Sequence, residues 1–221
     1  MTRTFNTRMV FRTMGALLLI ESVFMTMALG VSLWYNEADS DVFLLSTIVT
    51  LLFGVMGLLI GRRAESRMGE REGYVIVAMV WVVFSAFGLL PYYLSGQVPN
   101  LTDAWFETMS GFTTTGATII PDLTVITHGL LFWRSLTQWI GGMGIIVLSI
   151  AILPIFGLNG MQLYAAEVSG LTYEKLSPRI ADTAKMMWSI YILLTLTEIA
   201  FWSDLGSICK KVPTKSSGTA L

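Results

Sequence analysis

The sequence predicts an all-α integral membrane protein, with about five transmembrane helices plus one re-entrant pore helix and filter loop. Three observations carry that class. Hydrophobic residues make up 54% of the 221 positions, charged residues only 13%, and mean hydropathy is +0.67, too apolar and too sparsely charged for an ordinary soluble domain. Apolar runs of spanning length recur along the chain. Between two of them lies a polar hexapeptide, Thr113-Thr114-Thr115-Gly116-Ala117-Thr118.

The runs fall near Met14–Tyr35, Val42–Ile60, Tyr74–Leu94, Leu130–Gly157 and Ala184–Trp202. The first is a mature helix rather than a secretory signal, because its apolar region is long, Glu21 interrupts it and a second span follows closely. Arg3, Arg8 and Arg12 precede span one. Arg62, Arg63, Arg67 and Arg71 follow span two, and Lys175, Arg179 and Lys185 follow span four. The positive-inside rule makes these three segments cytoplasmic, the amino terminus included. Glu37, Asp39 and Asp41, then Asp103, Glu107 and Asp122, with His128, fall on the opposite side. A formal net charge of -1 gives no reason to expect a nucleic-acid partner, and the lone Cys209 can form neither an intrachain disulfide nor a cysteine metal cluster.

Asn100-Leu101-Thr102-Asp103 supplies cap residues for a helix that runs on through Ser110. A helix of about ten residues is about 15 Å long, half a hydrocarbon core, so it dips in rather than crossing. It hands the chain to the threonine run. Non-helical backbone at membrane depth must be buried in protein or line a cavity, which leaves carbonyl oxygens free for a dehydrated cation. The negative end of the preceding helix dipole favours a cation there. Gly116 can take a positive φ and turn its carbonyl, and the hydroxyls add oxygen ligands. The competing reading is an ordinary external loop, since Thr-Gly runs are common in such loops. Candidate cation ligands are Thr113, Thr114, Thr115, Gly116, Ala117 and Thr118, with Thr114 and Thr115 foremost.

Other residues admit two readings. Gly141-Gly142-Met143-Gly144 is a close-packing patch or a hinge, with packing favoured. Arg134 pairs with Glu107 or Asp122, or else snorkels to the interface, with a loop-supporting ion pair preferred. Phe106, Met109 and Phe112 are expected to pack on apolar neighbours. Glu21 and Glu198, inside apolar runs, are candidates for functional or helix-bridging roles. Leu158–Thr172 reads as an amphipathic stretch at the cytoplasmic face. A rival from another class is an intramembrane hydrolase with Ser110 as nucleophile and His128 as base. It is disfavoured because His128 belongs at the water interface and Ser110 deeper, and the chain reads as no enzyme.

Asp103-Ala104-Trp105-Phe106-Glu107-Thr108-Met109-Ser110-Gly111-Phe112, the threonine run, and Leu131-Phe132-Trp133-Arg134-Ser135-Leu136-Thr137-Gln138-Trp139-Ile140-Gly141-Gly142-Met143-Gly144 together resemble the TrkH branch of the Trk/Ktr/HKT potassium-uptake family. The resemblance covers roughly residues 10–202 and includes an extra amino-terminal helix pair. It implies four helix–pore-loop–helix repeats around one ion path in the complete protein, K+ as the transported ion, a place in the cell inner membrane among its lipids, and a cytosolic nucleotide-binding regulatory subunit as partner. The expected organisation is an amino-terminal pair over 1–72, a first repeat over 73–157, a cytoplasmic connection over 158–183, the first helix of an incomplete second repeat over 184–202, and an aberrant or disordered tail over 203–221. No second filter follows Trp202, and Lys210, Lys211 and Lys215 fall on the wrong side for the charge rule, so the tail reads as a truncation or shifted frame. A genuine polar terminus is the alternative. One loop supplies a quarter of a coordination ring, so this chain needs the remaining pore repeats or a homo-oligomer, and is expected not to conduct alone. A non-conducting protein that binds or regulates a full-length relative is the alternative function.

Overall fold

The computed structural model describes residues 6–62, 70–152 and 180–211. Among them every regular element is an α-helix: α1 (Thr7–Trp34), α2 (Ser40–Ile60), α3 (Glu70–Gly88), α4 (Leu90–Leu94), α5 (Leu101–Phe112), α6 (His128–Ile152) and α7 (Ile180–Lys211). Among the described residues three segments are long and apolar enough to cross a bilayer: α1, α2, and α3 with α4 taken together over Val75–Leu94. At 25 and 32 residues, α6 and α7 are long enough by rise, about 38 Å and 48 Å. Leu158–Thr172 and most of the Arg62–Arg71 loop lie outside the described residues.

Local chemistry sets the helix ends. Asn6 Oδ1 accepts the Met9 amide at 3.2 Å and so caps the start of α1. Asn36, in the left-handed region at φ 51°, ends it. Its amide returns to the Leu33 carbonyl and the Glu37 amide to that of Ser32, which satisfies two otherwise orphaned acceptors. Between α3 and α4 the span breaks at Leu89, and Pro91, which has no amide to donate, sits in the first turn of α4 where none is required. The Gly88 carbonyl accepts the Trp133 indole N–H at 2.9 Å. α7 continues past Trp202 to Lys211, into the segment over 203–221 read from the sequence as an aberrant or disordered tail. Residues 212–221 lie outside the described residues.

The chain forms two compact units, Met1–Ile145 and Ile146–Leu221. In the first unit α1 and α2 pack through small residues, with a Cβ at Gly15 falling 2.6 Å from the Gly54 carbonyl oxygen and one at Gly57 falling 2.9 Å from the Gly15 Cα. Lipid offers no hydrophobic drive between helices, so close backbone approach supplies the association. Opposite that seam, Leu44, Ile48, Leu52 and Leu59 of α2 are exposed, as side chains facing hydrocarbon should be. The buried core gathers Met25 and Ala28 of α1, Phe43 of α2, Phe84 of α3, Tyr92 of α4, Ala104 and Phe112 of α5, and Leu130 and Trp133 of α6. Phe112 sits at its centre, its ring 5.4 Å from Phe84 and 6.5 Å from Trp133. The short helix that does not span is thereby held by all its neighbours. In the second unit, α7 exposes Met186, Leu193, Leu194 and Phe201.

Candidate functional site, a threonine loop on a short helix

α5 buries Ala104, Glu107, Thr108, Gly111 and Phe112, one stripe at helical spacing. Phe106 lies off that stripe and is 44% exposed, against the expectation that it packs inward. Met109 takes a hydrogen bond from Ser85 Oγ at its sulfur, 3.1 Å, and Phe112 is fully enclosed. Asn100 occupies the N-cap in extended conformation, but its side chain makes no cap bond; its carbonyl accepts the Ala104 amide at 2.9 Å.

After Phe112 the chain leaves the helix and stays irregular to His128. The amides of Thr113, Thr114 and Thr115 fold back onto the carbonyls of Met109, Gly111 and Ser110 at 2.9, 2.9 and 3.0 Å. Gly116 N reaches the same Ser110 carbonyl at 3.5 Å. Thr114 at φ 57° and Gly116 at φ 74° are left-handed, whereas Thr113 is at φ −80°. Left-handed backbone is costly for a β-branched residue, so its presence at Thr114 marks a conformation imposed by the surroundings. Donors therefore point into the helix end. Among the described residues the carbonyls of Thr113, Thr114, Thr115 and Gly116 accept no hydrogen bond, and Thr114 to Thr118 are exposed.

Two side chains of α5 hold the loop. Ser110 Oγ donates to the Ala117 carbonyl at 2.6 Å, so of the six candidate residues Ala117 has its acceptor occupied. Glu107, 1% exposed, accepts the Thr118 hydroxyl at 2.9 Å and the Ile119 amide at 3.1 Å. Arg134 Nε closes the cluster, 2.8 Å from Glu107 Oε1, which selects Glu107 from the partners open to it. Asp122 instead accepts the Thr124 hydroxyl and amide at 2.7 and 2.9 Å, bonds that hold its carboxyl below the usual carboxylate range. A cavity of about 430 Å³ beside the loop is lined by Asp103, Ile119, Ile120, Asp122 and Ile126 among others.

α6 forms the wall behind. A Cβ at Gly141 would overlap the Phe112 carbonyl and one at Gly111 would overlap Thr137 Oγ1, so the glycine patch is a packing surface against the end of α5. Sequence reasoning placed α5, the loop and α6 but missed Ser110 as a support; the signal was a serine three residues before the threonine run. It also set Ser110 beside His128 as a rival catalytic pair. The structure gives them different partners: Ser110 bonds Ala117, and His128 Nδ1 meets Glu37 Oε1 at 2.8 Å. Glu21 is fully buried, and neither carboxyl oxygen has a hydrogen-bond partner among the described residues. Glu198 is exposed on α7.

A family model described as TrkH, cation transport protein, matches residues 39–203. The Trk system potassium uptake protein TrkH of Escherichia coli (strain K12) is 44% identical over 199 residues, 88% of this chain and 41% of that protein. The Trk system potassium uptake protein TrkG of the same strain is 34% identical over 223 residues, 97% of this chain and 46% of that protein. Among solved structures, the potassium transporter TrkH from Vibrio parahaemolyticus superposes with a TM-score of 0.74 at 38% identity, covering 90% of this chain and 40% of that one. The chain thus spans about two fifths of the length of the curated TrkH relatives it matches.

Proposed function

The chain belongs to the TrkH family of cation transport proteins, and we propose that it contributes the first quarter of a potassium-selective pore, lined by Thr113–Thr118. It is an integral membrane protein. One observation carries the reading: the amides of Thr113 to Gly116 are used up by the end of α5, while the carbonyls of these residues accept no hydrogen bond among the described residues and Thr114 to Gly116 are exposed. Oxygen rings of this kind replace an ion's hydration shell, and four loops complete one. Thr114 and Thr115 are the foremost ligands, and Ala117 contributes least because Ser110 already holds its carbonyl. The acidic cavity lined by Asp103 and Asp122 raises the local cation concentration at the loop.

In this reading residues 1–72 form the amino-terminal pair, 73–157 the first repeat, 158–183 a cytoplasmic connection, and 184–202 the first helix of a second repeat. The amino terminus is cytoplasmic, and the protein lies in the inner membrane. Its partners are the remaining pore repeats or further copies of the chain, together with a cytosolic nucleotide-binding subunit. The hydrolase alternative loses its support, because Ser110 and His128 are each bonded elsewhere and the relatives are named as potassium uptake proteins.

Flux tests it. This chain replaces the matching part of the Vibrio parahaemolyticus relative, and vesicles of that chimera are compared with vesicles of the chain alone. The expected outcome is K+ flux exceeding Na+ flux in the chimera and none above bare lipid for the chain alone. A chimera that conducts neither ion while its parent conducts K+ contradicts the proposal. Conduction by the chain alone shows that copies of it complete the ring.

A further inference from the structure

We propose that the α1–α2 hairpin is a positioning element for the filter: Glu37 and Asp39 fix the first turn of α6, and α6 fixes the threonine loop. The inference rests on reading Thr113–Gly116 as the ion-lining segment. Nothing in the pore-loop chemistry itself calls for a helix pair ahead of the repeat, yet the pair's connecting turn makes a dense set of bonds to the residues that open α6.

Glu37 spans the amino end of α6. Its Oε1 accepts the His128 amide at 2.7 Å, and its Oε2 accepts the Gly129 amide at 2.9 Å. Two of the donors that a helix start leaves unpaired are thereby satisfied from a residue 91 positions away. The His128 ring lies 2.8 Å from the same Oε1 and stacks on Tyr35, centroids 4.1 Å apart and 3° from parallel. Asp39, 5% exposed, takes Ser32 Oγ on one oxygen and Thr127 Oγ1 on the other, both at 2.5 Å. Gln97 adds a bond to each end of Thr127, 3.2 Å to its hydroxyl and 3.4 Å from its amide.

Independent of these charges is the fit at Gly129. A Cβ there would lie 3.0 Å from Phe43 Cε2 and 3.0 Å from Ser32 Cβ, so α6 begins flush against both arms of the hairpin. Five residues on from Gly129, about 7.5 Å along the axis, Arg134 meets Glu107, which holds Thr118 and Ile119. A further turn on, Thr137 faces Gly111. A displacement at the start of α6 is therefore passed to both limbs of the loop through contacts that leave no slack. Glu37 and Asp39 are positioning residues; neither touches the lining carbonyls.

The test is site-resolved amide exchange of the 221-residue chain in lipid nanodiscs. In Glu37→Ala the His128 and Gly129 amides should exchange about fivefold faster, the equivalent of one lost helix cap. The Ile119 and Thr115 amides should follow by a smaller factor. Gly129→Ala, which alters no charge and keeps the cap, should raise exchange at Ile119 in the same way. In an Arg134→Ala background, Glu37→Ala should add nothing further at Ile119, because the connecting contact is gone; a merely local fold defect would not show that coupling. Faster exchange confined to residues 128 and 129, with 113–119 unmoved in both variants, overturns the proposal. Failure of the filter reading shows elsewhere, as absence of K+ preference in the chimera with this exchange pattern intact.

Discussion

Thr114 and Gly116 carry the loop's shape, one a β-branched residue at φ 57°, the other a glycine at φ 74°. Nothing lies within 4 Å of where a Gly116 Cβ would point, so a side chain there meets no wall and pays only for its backbone. Gly116→Ser should therefore cost about 1–2 kcal/mol in the loop conformation. Its consequence is a turned carbonyl. The chimera carrying it should still insert and pack but lose K+ preference over Na+ in paired flux measurements; an unchanged ratio would show that the Gly116 carbonyl does not line the path. The glycine and the hydroxyls were legible in the sequence, because only composition and order were needed. The left-handed threonine was not, since nothing in a β-branched residue advertises it and the helix end imposes it.

At the scale of elements, the decisive contact joins α5 to α6. Glu107 and Arg134 are 1% and 18% exposed, and removing one partner strands the other away from water. Arg134→Ala should destabilise the fold by about 3–5 kcal/mol, seen as a lowered Tm in detergent. Loss below about 1 kcal/mol would mean that solvent reaches Glu107.

The hairpin latch makes a second element-scale prediction, on pH. Burial alone pushes the Glu37 carboxyl up, but the amides of Gly129 and His128, and then the His128 ring, outweigh it and hold the carboxyl below its ordinary value. A depressed folded value means the stabilisation is complete above the unfolded value, about 4.3. It is lost only as pH falls from there through the folded one. After correction for intrinsic rates, protection of the Gly129 amide should therefore hold from neutral pH down to about pH 5 and collapse only in stronger acid. A loss already at about pH 6 would contradict the assignment of the latch to the Glu37 carboxylate.

For the molecule as a whole, periodicity and charge gave the run of helices, and the short α5 followed by irregular chain was read correctly from its length between spans. What the sequence concealed was long-range. Bonds from Glu37 to His128 and Gly129 cross 91 and 92 positions, and the role of Phe106 turned on which face of a twelve-residue helix meets α3 and α6. Periodicity marks a face; it does not name the partner. Spans read as single runs also hid the break at Leu89, beside which the Gly88 carbonyl accepts the Trp133 indole N–H. The central claim, that Thr113–Gly116 supplies carbonyl ligands to a dehydrated cation, is open to direct observation. The chimera crystallised with Tl+ in place of K+ should show an anomalous peak in contact with the carbonyl oxygens of Thr114 and Thr115, one that added K+ displaces and added Na+ leaves in place. Tl+ bound elsewhere along the path, with no peak at these carbonyls, would contradict the account.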